Sequence, residues 1–122
     1  MTLAALCLLT GVSAAVFFRN SRHWLKIHKS FNSIAGIFLF VGGFIAVVMV
    51  RQQSGEHLAG FHPIVGSIAL GLTIISLFLG FYQFKATSGK QAVRTLHRWL
   101  GRLSVLLIIV ALIAGLVHAG II

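Results

Sequence analysis

The stretch SIAGIFLFVGGFIAVVMV, residues 33–50, holds eighteen residues without a charged side chain. Three more stretches of this kind flank it, at 3–18, 64–84 and 103–122. A helix needs about 20 apolar residues to cross about 30 Å of hydrocarbon. Three of the four stretches meet that length, and the first, with 17 residues over 2–18, spans about 25 Å as a helix. The sequence therefore predicts an all-α integral membrane protein, a four-helix bundle with short loops.

The first stretch has a second interpretation, as a secretory signal peptide. Small residues at 11–15 (GVSAA) favour a cleavage site, but no lysine or arginine precedes the apolar run. Phe17, Phe18 and Arg19 also follow the small residues directly. A membrane span is therefore the preferred interpretation.

The charged residues predict how the bundle lies in the membrane. The chain has ten lysines and arginines against a single acid, Glu56, and a net charge of +9. These bases flank apolar spans, so they argue for membrane topology and against nucleic-acid binding. On the side that we call side one, nine bases occupy two loops: Arg19, Arg22, Lys26, Lys29, Lys85, Lys90, Arg94, Arg98 and Arg102. Side two has only Arg51, so side one is predicted to be cytoplasmic and both termini to lie on the non-cytoplasmic side.

The connections leave no room for a further domain. The segments RQQSGE (51–56) and KATSGK (85–90) are short, polar and carry Ser-Gly turn signals. Residues 1–122 are thus predicted to form one bundle, in which glycines within the spans allow close helix packing.

The histidines fall at matching depths. His28 and His97 begin the second and fourth spans on side one, whereas His62 and His118 lie near side two. Two imidazoles at one depth on different helices can clamp a haem iron from its two faces. The simpler interpretation is a polar flank at the membrane surface, and we assign it to His23 and His57. His118 lies 21 residues after His97, within about 60° of the same helix face, which permits an inward position without requiring one.

Glycine follows two of these histidines by one helical turn. His62 precedes Gly66, and His97 precedes Gly101, whereas His28 precedes Asn32. Residues four apart share a helix face, so a glycine there leaves room for a flat porphyrin against the helix. The spacing therefore supports haem binding at His62 and His97.

These motifs, in this order, resemble the core of the cytochrome b561 family over about residues 11–115. The matching positions are Lys26 and His28, His62 and Gly66, Gln83, and Arg94 with His97 and Gly101. The resemblance implies transmembrane electron transfer through two b-type haems held by pairs of histidines. It assigns His28 and His97 to one haem and His62 to the other, and it places Lys26 where an ascorbate-binding lysine lies in eukaryotic members.

The chain departs from the family pattern in its first span, which lacks the expected histidine. Three explanations stay open: an upstream histidine in a longer chain, His118 as a substitute ligand, or a single haem. The cofactor is thus one or two b-type haems with bis-histidine iron.

The expected function is electron transfer from an ascorbate-like or quinol reductant, bound at the basic face on the cytoplasmic side, to an acceptor across the bilayer. If the protein is an enzyme, it is a b561-type oxidoreductase that is ascorbate-dependent or reduces ferric chelates. The alternatives are a haem-free structural subunit of a larger membrane complex and, less favoured, a small-molecule transporter. A homo-oligomer is compatible with the sequence, which does not distinguish a bacterial inner membrane from a eukaryotic one.

Overall fold

The computed structural model describes residues 2–53 and 60–122, and in this part of the chain the regular structure is entirely helical. The helices are α1 (Thr2–Phe17), α2 (Trp24–Gln53), α3 (Phe61–Lys85) and α4 (Lys90–His118). The predicted all-α class and the four helices are confirmed. The predicted side-two loop begins at Arg51, but residues 51–53 belong to α2, and His57 and Glu56 lie outside the described residues.

Two of the helices extend well beyond the apolar stretches that predicted them. Helix α2 begins at Trp24 and α4 at Lys90, so each begins with a polar, basic segment that hydropathy alone assigns to a loop. Helical hydrogen bonding propagates through residues of either polarity once a helix has been nucleated. As a result, His28 and His97 lie within regular helix, in the second turn of α2 and the third turn of α4.

Helices α2, α3 and α4 are each long and apolar enough to cross a membrane, and α1 is a shorter apolar helix of 16 residues. Most large apolar side chains are exposed, as in Phe78, whose exposed fraction is 72%. Such a surface suits a lipid environment, because the hydrocarbon of a bilayer is as apolar as these side chains.

The bundle consists of two helical hairpins. Helix α1 packs mainly on α2 and α3 mainly on α4, whereas α2–α3 and α1–α4 contacts are sparse. The buried core is formed largely by small residues, which allow helix backbones to approach closely. Its members are Ala4, Ala5, Leu8, Ala35, Leu39, Ala69 and Ile108. Cys7 is a free thiol that is partly buried against this core, as expected of a small residue in a helix interface.

Candidate functional site

The bundle brings His28 of α2 next to His97 of α4. Their ring centroids are 6.1 Å apart, with an angle of 81° between the ring planes. The two residues are 69 positions apart in the chain and belong to different hairpins. The side-one end of the bundle therefore places two imidazoles opposite each other, with nearly perpendicular ring planes, across the space between the hairpins.

This separation suits two ligands of one metal ion. An imidazole nitrogen lies about 2 Å from a metal that it ligates, so two rings on opposite sides of one metal have centroids about 6 Å apart. Neutral imidazole is a common axial ligand of haem iron. The His28–His97 pair therefore has both the donor atoms and the spacing of a bis-histidine site.

A hydrogen bond to the backbone of the neighbouring helix orients each of three imidazoles. Nδ1 of His28 lies 2.8 Å from the carbonyl oxygen of Gly11. Nδ1 of His62 lies 2.8 Å from the carbonyl oxygen of Ala111, and Nδ1 of His97 lies 2.8 Å from that of Ser76. In every case the acceptor belongs to the other helix of the same hairpin.

These hydrogen bonds determine which ring nitrogen can bind a metal. A carbonyl oxygen can only accept, so Nδ1 must carry the proton and donate it in all three histidines. The lone pair of the neutral ring is then on Nε2. Metal-bound histidines usually have their other ring N–H fixed in this way, which also raises the basicity of the ligand.

A small, partly open cleft with a cavity volume of about 30 Å³ lies beside the two side-one histidines. It lies between α2 and the ends of α3 and α4, and polar and apolar residues line it in about equal numbers. Lys29 lies at its edge, with Nζ 4.6 Å from the ring centroid of Phe84 and 5.8 Å from that of Phe81. The residues that line the cleft are Leu25, His28, Lys29, Asn32, Ser33, Leu77, Gly80, Phe81, Gln83, Phe84 and His97.

Asn32 lies four residues after His28, at the position where His62 and His97 are each followed by a glycine. It is buried, and its Nδ2 lies 3.0 Å from Nδ1 and 3.4 Å from Nε2 of His28. Because Nδ1 of His28 donates its proton to Gly11, it cannot also accept from the Asn32 amide. The ring acceptor left for this amide N–H is Nε2, and at 3.4 Å that contact is longer than a normal hydrogen bond and therefore weak. Gly11 of α1 makes room for this side chain, because a Cβ at position 11 would collide with the Asn32 amide.

At the other end of the α3–α4 hairpin, His62 packs on α4. Its ring lies against Gly115, where an added Cβ would come within 2.9 Å of Cε1. His118 is the last residue of α4 and is exposed. Among the described residues the structure records a close imidazole pair only for His28 and His97, so His118 as a partner of His62 stays a prediction.

The glycines that contact the histidine rings differ from those that the sequence singled out. Open space surrounds the missing side chain of Gly66, whereas a Cβ on Gly101 would make an ordinary contact with Oγ of Ser76. The close contacts are made by Gly80 and Gly115, each on the opposite helix. An offset of 35 positions, which relates His62 to His97 and also Gly80 to Gly115, is the sequence signal that identifies these two glycines.

The basic residues expected around the side-one site are exposed. Lys26, Arg94 and Arg98 lie on the surface, while Lys29 reaches the cleft itself. The remaining exposed histidine on this side, His23, fits the assignment as a polar flank.

A family model described as "Eukaryotic cytochrome b561" matches residues 1–120, nearly the whole chain. Neither the comparison with curated proteins nor that with solved structures gives a match.

Proposed function

Because the chain belongs to the cytochrome b561 family, an integral membrane family of haem-based electron carriers, we propose that His28 and His97 form its cytoplasmic-side electron-transfer site. The supporting observation is the 6.1 Å separation of the two imidazoles, which come from different hairpins of the bundle. In this proposal a reductant on side one supplies electrons, and an acceptor on side two receives them.

The residues of this end of the bundle fit a b-type haem. His28 and His97 would supply Nε2 ligands, and the cleft beside them includes the aromatic side chains of Phe81 and Phe84. When bound, the haem supplies a one-electron redox couple at its iron. The protein ligates and orients this group, limits its contact with water, and supplies positive charge at the rim, where Lys29 can pair with a carboxylate.

His62 is the proposed ligand of a second haem near side two. Its Nδ1–H donates to Ala111 as that of His97 donates to Ser76, so both leave Nε2 for a metal. Gly66, one turn after His62, faces open space, which is compatible with a flat group lying along α3. Within this chain the proposed second ligand of this site is His118.

The absorption spectrum of the purified protein tests the haem proposal directly. Reduction with dithionite is expected to produce the sharp α and β bands of a low-spin b-type cytochrome. A spectrum without these bands, from protein purified after expression with ample haem, would contradict the proposal and favour the haem-free structural subunit.

We propose that the reductant docks at the basic rim of side one. The rim combines the exposed Lys26, Arg94 and Arg98 with Lys29 at the cleft. Positive charges around an opening attract an anion such as ascorbate and raise its rate of encounter. A quinol donor would not need this charge, so the dependence on salt distinguishes the two classes of reductant.

Replacing Lys26 with alanine is expected to slow reduction by ascorbate several-fold at low salt and much less at high salt. The reason is that salt screens exposed charges over about 8 Å at physiological ionic strength. The measurement is stopped-flow reduction at several salt concentrations. Arg51→Ala is the matched control, because it removes the same charge from the same helix about 37 Å away along its axis.

Equal slowing at all salt concentrations would argue against electrostatic attraction at Lys26. If ascorbate does not reduce the protein at all while a quinol does, the anionic reductant is excluded.

The orientation in the membrane is tested by labelling single introduced cysteines. Residues in the loops at 18–23 and 86–89 are expected to react only with reagents that reach the cytoplasm, and tags at both termini only with external reagents. The asymmetry of nine bases to one gives the physical reason. External labelling of the two basic loops would reverse the orientation and place the His28–His97 site on the non-cytoplasmic face.

A further inference from the structure

The α3–α4 hairpin contains an internal repeat. Equivalent residues of the two helices are 35 positions apart. They include the two histidines, the two residues whose carbonyls accept from them, the glycines one turn after each histidine, and the glycines that contact each ring. The pairs are His62 and His97, Gly66 and Gly101, Ser76 and Ala111, and Gly80 and Gly115. Because four residue pairs at this offset share a residue type or a role, the hairpin contains two equivalent histidine environments.

The structure shows what each environment does. His97 donates Nδ1–H to the carbonyl of Ser76, and its ring covers Gly80, one turn further along α3. His62 donates to the carbonyl of Ala111, and its ring covers Gly115, one turn further along α4. The two helices thus exchange the same interaction at opposite ends of the hairpin.

At both positions a larger residue would require the opposing histidine ring to move. A Cβ at position 80 would come within 2.9 Å of Cε1 and 3.3 Å of Nδ1 of His97. A Cβ at position 115 would come within 2.9 Å and 3.2 Å of the same atoms of His62. Real Cβ atoms do not approach other atoms to 2.9 Å, so an alanine at either position would push the ring away from the carbonyl that orients it.

We propose that Gly80 and Gly115 are positioning residues, each of which lets the opposing histidine lie on the neighbouring helix backbone and keeps its Nε2 free for iron. The proposal rests on the assignment of His97 and His62 as haem ligands. The potential and affinity of each haem would then depend on a glycine on the neighbouring helix, far in sequence from the histidine that ligates the iron. Gly80 acts on the His28–His97 site, and Gly115 acts on the His62 site.

Gly80→Ala, Gly115→Ala and Gly71→Ala test this proposal, with Gly71→Ala as control. Gly71 also lies in α3, but a Cβ there would meet no atom within 4 Å. The readouts are the midpoint potential and the electron paramagnetic resonance g-values of each ferric haem, together with haem content. His28→Ala and His62→Ala identify which signal belongs to which site.

Gly80→Ala is expected to raise the potential and alter the g-values of the haem that His28→Ala removes. The weakened Nδ1–H hydrogen bond makes the imidazole a poorer donor to ferric iron. The affinity for that haem should fall by about tenfold or more, as is typical when a group that supports a metal ligand is lost. Gly115→Ala should have these effects on the other haem only, and Gly71→Ala on neither. If Gly80→Ala behaves like Gly71→Ala, or if it changes both haems alike, the proposal is wrong.

A stability measurement on haem-free protein tests this proposal independently of the haem assignment. It also remains informative if a variant folds poorly. In haem-free protein, Gly80→Ala should lower the melting temperature, and the loss should largely disappear when His97 is also alanine. Such a cycle isolates the interaction between two groups in contact. If Gly80→Ala lowers the melting temperature as much in the His97→Ala background as in the wild type, Gly80 does not position His97. If wild-type protein binds no haem, the proposed function fails, while this cycle still decides whether the glycine positions the ring.

Discussion

Replacement of either His28 or His97 with alanine is expected to remove the same haem completely. The two rings are 6.1 Å apart on different hairpins, and a bis-histidine site that loses one ligand loses its low-spin spectrum and one of the two bonds to its iron. Each variant should therefore lose the same component of the reduced spectrum, and the double variant should lose nothing more. A pyridine haemochrome assay gives the haem content per chain.

His23→Ala is the matched control for this prediction. His23 belongs to the same basic segment, five positions before His28, but it is exposed. Its replacement should leave haem content unchanged. If His28→Ala and His97→Ala remove different haems, or if either keeps full haem content, the pairing of these two residues is wrong.

Replacement of His62 with alanine is expected to remove a second haem and leave the first intact. The physical basis is the Nδ1–H bond of His62 to Ala111, which leaves Nε2 free in the same way as in His97. Haem content should fall from about two per chain to about one, because the second site would lose the histidine that the packing of α3 on α4 orients toward it. Full haem content in His62→Ala protein would show that this histidine has only a structural role.

His118→Ala in the same assay identifies the partner of His62. A loss equal to that in His62→Ala protein would assign His118 as the second ligand. Unchanged haem content would exclude His118 as this ligand. A wild-type content of one haem per chain, lost in His28→Ala protein, would exclude the second site altogether.

The number and type of the helices could be predicted from the sequence, because a membrane leaves few alternatives. Apolar stretches such as 33–50 cannot expose unpaired backbone groups to hydrocarbon, so they form helices. The helix ends were less predictable. Helix α4 begins at Lys90, thirteen residues before its apolar stretch, because helical hydrogen bonding does not require apolar side chains.

The histidines could be proposed as ligands from depth and spacing, but the groups that orient them could not. The carbonyls of Gly11, Ser76 and Ala111 are backbone atoms that every residue type carries. Their role depends on which helices pair and in what register. Likewise, Gly66 and Gly101 were identified because each lies one turn from a histidine on the same helix, whereas the close contacts are made across the hairpin by Gly80 and Gly115.

The sequence alone therefore determined the membrane character, the four helices, the uneven distribution of basic residues and the order of the histidines. Each of these depends on residue type and on position along a helix, which the chain states directly. Only the tertiary structure decided that His28 faces His97, that three imidazoles donate Nδ1–H to a neighbouring helix, and that Gly80 and Gly115 provide the space. Those features depend on the distance between helix backbones, which is set by the packing of all the small residues in the interface together.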